Sequence, residues 1–190
     1  MTEPIVEKHP LKPFLPPNAR VLFLGSFPPP KSRWCMDFFY PNPQNDMWRI
    51  MGLVFFDDKL HFVNEDKKFK YNEIVAFCEQ QRLAFYDTAS AVRRLRGNAS
   101  DEFLEVVEQT DIAKLLGKIP FCHDICCTGQ KSLDTLTLQY GCTKPKIGEF
   151  AEVDIGSRPV RIWRMPSTSR AYPLAVEKKA ETYRALISCL

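Results

Sequence analysis

The sequence predicts an α/β protein, a three-layer α/β/α sandwich around a central, mostly parallel four-stranded sheet. Short apolar runs recur near 21–24, 82–87, 123–128 and 160–165, and each is of strand rather than helix length. Helical periodicity fills the intervals between them, so successive strands need crossover connections, which place helices on both faces of the sheet when they are right-handed. The chain has 190 residues, 45% of them hydrophobic, enough for one domain over 1–190 with a sizeable core.

Residues 1–19 carry Pro4, Pro10, Pro13, Pro16 and Pro17 and read as an extended arm on the domain surface, packed by Leu11, Phe14 and Leu15. Val21 to Leu24 form a continuous apolar run closed by Gly25, as expected of a strand buried on both faces. Pro28, Pro29 and Pro30 cannot continue a central strand and open a rigid loop. A helix is expected over 48–56, an irregular charged connection over 57–70, and a second helix from Tyr71 with Ile74, Val75 and Cys78 on one face. Residues 82–87 read as the second strand. Ser100 followed by Asp101 and Glu102 predicts a helix start, with Phe103, Val106 and Val107 facing the core. Thr110 is the expected cap of a short helix ending at Gly117.

The third strand spans 123–128. Gly129 turns it into a helix with Leu133, Leu136 and Tyr140 on one face, stopped by Gly141. Strands at 150–155 and 160–165 flank a turn at Gly156 and Ser157, and the second of them is the fourth core strand. The last helix is expected to begin near Pro173, with Val176, Ala180, Tyr183 and Ile187 as its apolar stripe.

A net charge of +3 permits nucleic-acid binding without requiring it. Arg93, Arg94 and Arg96, and separately Lys144 and Lys146, are groups that could meet phosphates. Seven scattered cysteines argue for free thiols in the cytoplasm rather than a disulfide framework, and Cys122, Cys126, Cys127 and Cys142 lack the CxxC spacing of an iron-sulfur site. No apolar run approaches the ~20 residues that span a bilayer, and the opening MTEPIVEKHP lacks the apolar stretch of a secretory leader.

The loop after the first strand is the expected site. Phe38, Phe39 and Tyr40 followed by PNPQN combine aromatic faces with fixed amides, which suits a flat heterocycle. In open α/β sheets ligands bind beyond the carboxyl ends of the strands, where both the 25–45 and 166–172 loops emerge. No glycine-rich phosphate loop follows the first strand, which disfavours an ordinary nucleotide-binding domain.

GSFP after the first strand and YPNPQNDMW at 40–48 resemble the first signature region of the uracil-DNA glycosylase superfamily, closest to its hypoxanthine-DNA glycosylase and mismatch-specific branch. LAFYDTASAVRRLRGNASD (83–101), ICCTGQKSLDTL (125–136) and MPSTSRAYP (165–173) resemble later segments in the same order. The resemblance implies a monofunctional, monomeric glycosylase that hydrolyses the bond from sugar to hypoxanthine or uracil in DNA containing damaged or mismatched bases. It implies no metal and no organic cofactor. Carried over residue by residue, it puts Tyr40 against the flipped base, Gly25, Ser26, Phe27 and Thr128 in the base pocket, and Asn45 in catalysis. Ser167, Thr168, Ser169 and Arg170 are implied to contact DNA. Three departures matter: Phe27 stands where related families place a water-positioning asparagine or aspartate, Thr128 where relatives often have asparagine, and Arg170 where the resembling branch usually has proline. For Asn45 the alternative is a helix cap, and for Tyr40 and Phe27 it is core packing. A catalytically reduced protein that binds DNA or a nucleobase is the alternative for the chain.

Overall fold

The computed structural model describes residues 5–95 and 103–189. Its main sheet has the order β3-β2-β6-β8-β7, formed by β2 (Val21–Gly25), β3 (Leu83–Asp87), β6 (Asp124–Cys127), β7 (Phe150–Ile155) and β8 (Arg158–Arg164). β3, β2, β6 and β8 are parallel, and β7 adds an antiparallel edge by hairpin pairing with β8. The sheet therefore has five strands rather than four, because the two-residue connection at Gly156 and Ser157, both at positive φ, folds β7 straight onto β8.

Helices α1 (Met47–Phe56) and α2 (Tyr71–Gln80) connect β2 to β3, while α3 (Ile112–Lys118) and α4 (Gln130–Tyr140) lie on the connections that run the other way across the sheet. Right-handed crossovers in opposite directions put the two pairs on opposite faces. α5 (Val176–Ile187) packs beside α1. Trp48 of α1 meets Phe85 of β3 at 5.5 Å between ring centroids, and its indole nitrogen donates to the Phe39 carbonyl at 3.1 Å, so this large ring is buried with its polar atom satisfied.

A second, three-stranded antiparallel sheet was not anticipated. Its order is β1-β4-β5, with β1 at Val6–Lys8, β4 at Ala89–Arg94 and β5 at Leu104–Gln109. Ser100 lies outside the described residues, but 104–109 is a strand where a helix was expected. Spacings of three and four among Phe103, Val106 and Val107 fit a helix, yet Leu104 and Val106 also alternate, and pairing with β4 decides between them. The N-terminal arm is likewise structural. It supplies β1, and Phe14 exchanges backbone hydrogen bonds with Phe85 at 3.0 and 2.9 Å, covering the outer edge of β3. Thr110 does not cap α3. Its hydroxyl donates to the Asp87 carbonyl at 2.7 Å, and Asp111 accepts from the Lys114 amide instead. α5 starts at Val176, three residues later than Pro173 suggested.

Candidate functional site

A cavity of about 640 Å³ opens at the carboxyl ends of β2, β3, β6 and β8. That volume lies within the usual range of small-molecule sites. Gly25, Ser26, Phe27, Tyr40, Asn45, Thr128, Ser167, Thr168, Ser169 and Arg170 all line it, so the structure brings together every site residue expected from the sequence. Asp87, Arg33, Gly129 and Ser132 also line it and were not anticipated.

The floor is built by register. Gly25 pairs with Asp87 across β2 and β3, and a methyl group added to Gly25 would stand 2.5 Å from Asp87 Oδ1 and 3.4 Å from Tyr40 Oη. Only glycine leaves that space open. Thr128 donates its hydroxyl proton to the Leu24 carbonyl at 3.2 Å, so Tyr40 is the donor in its 2.7 Å bond to Thr128 Oγ1. Tyr40 adopts φ 51, a left-handed conformation that costs a bulky residue about 1–2 kcal/mol and is held here by the flanking structure. Burial, then the nearby Asp87, push its phenol pKa well up, so the ring stays neutral.

Asp87 is nearly buried, and its Oδ2 accepts from His9 Nε2 at 2.8 Å. Among the described residues Oδ1 has no hydrogen-bond partner, and since every fully buried side-chain oxygen there does have one, Oδ1 keeps its access to the cavity. Phe27 lines the same wall and also packs on the small sheet beside Ala89, Val92 and Leu104, with its ring 5.2 Å from that of His9. It therefore serves both the core and the cavity.

Asn45 has two faces. Its Oδ1 accepts from the Met47 amide at 2.9 Å, an Asx-type turn that covers the first amide of α1 from the residue before the N-cap, Asp46, whose own side chain makes no capping bond, and Nδ2 has no partner among the described residues. The two loops are sewn together around it. Asn45 bridges Ser169, the Asp46 amide donates to the Thr168 carbonyl at 2.8 Å, and the Thr168 amide donates to the Thr128 carbonyl at 3.2 Å. Beneath them fully buried Lys179 donates to Asp46 Oδ2 and to the Ser169 carbonyl, both at 2.9 Å. Arg170 holds Asp46 Oδ1 at 3.1 Å. Both Asp46 oxygens are thus engaged by cations, which offsets the cost of burying the carboxylate.

Within the second loop, Ser167 Oγ accepts from the Ser169 amide and Ser169 Oγ from the Ala171 amide, each at 3.2 Å. Thr168 is buried, whereas Ser169 and Arg170 are exposed. Arg33, which also lines the cavity, is exposed as well. Of the basic groups read from the sequence, Arg94 is committed internally to Glu7 at 3.1 Å and to the Pro28 carbonyl at 2.6 Å. Arg93 pairs with Glu105 and Lys144 with Asp134. Arg96 lies outside the described residues.

All seven cysteines are free, and burial raises the Cys122 thiol to about 12, so Cys122, Cys126 and Cys127 act as small apolar side chains of the core around β6. Among the described residues no cluster of three or more His, Cys, Asp or Glu is arranged to hold a metal, and no helix is long and apolar enough to cross a membrane.

No protein-family model matches the sequence, and no curated protein matches it either. The fold does match solved structures. A solution NMR structure from Methanosarcina acetivorans, provisionally named a uracil DNA glycosylase, superposes with a TM-score of 0.65 over 97% of this chain and 99% of its own, at 22% identity. The two share a fold.

Proposed function

We propose that the protein is a monofunctional DNA glycosylase that removes a deaminated base, hypoxanthine or uracil, by hydrolysis and acts as a monomer. The observation that supports this most is the convergence of Tyr40, Asn45, Thr128 and the 167–170 loop on one cavity, roomy enough for a base, at the carboxyl ends of the strands. The fold shared with a protein provisionally named for that activity supports the same reading.

In this reading the base leaves the helix and enters the cavity, as enzymes acting on a base require. Tyr40 offers a ring face for stacking, and its oxygen, having donated to Thr128, can only accept there. Asn45 has an Nδ2, unpaired among the described residues, to donate, while its Oδ1 is engaged by the Met47 amide. A donor stabilises the negative charge that develops on the departing base, and the start of α4 at Gly129, which has no side-chain cap, adds the positive end of a helix dipole. Arg33 and Arg170, both exposed and both lining the cavity, suit phosphates next to the extruded nucleotide.

A second reading, binding of DNA or a nucleobase with reduced catalysis, is favoured by the apolar Phe27 and by the engaged carbonyl of Asn45. End-labelled duplexes carrying hypoxanthine, uracil or a G:T mismatch, treated with protein and then alkali, separate the two. Strand cleavage at the modified base is the expected result. Binding without cleavage would replace the proposal by the second reading.

A further inference from the structure

Hydrolysis is accelerated by a group that takes the proton of the attacking water, and neither Asn45 nor the carboxylates near it in sequence can do so. Asn45 is an uncharged amide, its Oδ1 already accepting from the Met47 amide. Both oxygens of Asp46 are held by Lys179 and Arg170, and Asp37 is exposed and paired with Lys31 at 2.8 Å. Among the residues lining the cavity Asp87 is the one carboxylate, and its Oδ1 is open to the cavity.

We propose that Asp87 is the water-activating group of the site, held in place by His9 from the N-terminal arm. It deepens the glycosylase reading and rests on it. The architecture behind Asp87 is built for holding one oxygen and freeing the other. The β1 to β4 ladder continues into a bond from the His9 amide to the Ser90 carbonyl at 2.8 Å, which fixes the imidazole, itself almost wholly buried, behind Oδ2. As a neutral ring His9 accepts from the Leu11 amide at Nδ1, and as imidazolium it donates from Nδ1 to the Leu11 carbonyl. Nε2 carries its proton toward Asp87 in both states, so the carboxylate stays anchored whichever form is present. The rings of Tyr86 at 4.5 Å and Phe27 at 5.2 Å wall the imidazole in.

The free oxygen lies in the space that Gly25 leaves by lacking a side chain, close to Tyr40 Oη, with the cavity in front of it. Water placed there donates one proton to Oδ1. Its oxygen forms the new bond to C1′ of the extruded nucleotide as the bond from C1′ to the base breaks and the base leaves with the electron pair. The proton taken by Asp87 then passes to the released base or to solvent, which balances the reaction as DNA plus water giving an abasic sugar and free base. The water-handling side chain that the resemblance would put at Phe27, on the loop after the first strand, is here supplied by the end of the neighbouring strand, at the position paired with Gly25.

The test is single-turnover base release and duplex binding by the whole chain, on whichever of the hypoxanthine, uracil and G:T duplexes the unaltered protein cleaves. Asp87→Asn should lower the rate about 10²- to 10⁴-fold, the loss typical of a proton-handling group, with binding within about twofold. His9 acts through Asp87 as a positioning residue. His9→Phe should reduce the rate while leaving binding intact, and His9→Gln, which keeps an amide donor near Oδ2, should recover most of it. An unaltered rate for folded Asp87→Asn overturns the proposal and leaves the glycosylase reading standing. If Asp87→Asn does not fold, the His9 pair decides, and equal rates for His9→Phe and His9→Gln overturn it. Absence of cleavage by the unaltered protein on all three duplexes overturns both.

Discussion

Asn45 engages the Met47 amide through one end of its side chain and leaves the other end unpaired among the described residues, so a pair of substitutions can test the proposed role of each. Asn45→Ala removes the acceptor for the Met47 amide at 2.9 Å, costing about 1 kcal/mol of stability and a Tm drop of roughly 2–4 °C for a chain of this length. It also removes the Nδ2 donor at the cavity, and loss of one such donor to a developing anion slows the chemical step by about 10²- to 10³-fold, or roughly 3–4 kcal/mol of barrier. Asn45→Asp keeps the cap, places negative charge near the start of α1 where the helix dipole favours it, and replaces the donor by an acceptor. Its Tm should stay near that of the unaltered protein while base release falls at least as far as in Asn45→Ala. Thermal melts and single-turnover assays on the same preparations provide both numbers. A folded Asn45→Asp protein with an unaltered rate would show that the cavity face of this amide does nothing, and would leave Asn45 as a helix cap alone.

Gly25→Ala puts a methyl group 2.5 Å from Asp87 Oδ1, so the carboxylate must move; base release should fall by tenfold or more with about 1–3 kcal/mol of destabilisation, and an unaltered rate would mean that the gap is not used. Lys179→Met removes the fully buried partner of Asp46 Oδ2 and should cost about 3 kcal/mol in denaturant unfolding, with α5 and both loops loosened together. Arg33→Ala should shallow the slope of log affinity for duplex against log salt by about one unit, and an unchanged slope would remove Arg33 from the phosphate contacts.

The loops of the site were legible because their chemistry is local. Three prolines after Gly25 and the PNPQN run announce a rigid excursion from a buried strand, and the open-sheet rule places its far end beside the 166–172 loop. The parallel core was legible for the same reason, since each apolar run and each helical stripe is complete within one segment. What the sequence hides is pairing across distance. Residues 104–109 satisfy helix and strand periods equally, and only β4, joined to them through a bulged ladder, selects the strand. Tyr40 could not be seen to adopt a positive φ, because nothing in a tyrosine asks for one.

His9 and Asp87 illustrate the limit most sharply. They stand 78 residues apart, one in a proline-rich arm that reads as surface and the other at the end of a strand that reads as core. β1 brings them together by pairing with β4, the strand that directly follows Asp87. A lone histidine or a strand-end aspartate carries no signal of its own. The small sheet explains both the arm and the dyad: it ties the chain's opening segment to the point where β3 leaves the main sheet, and so fixes a carboxylate at the cavity that neither signature loop supplies. Shortening the arm beyond His9 should then affect chemistry as well as folding, whereas an arm that only covered the edge of β3 would affect folding alone.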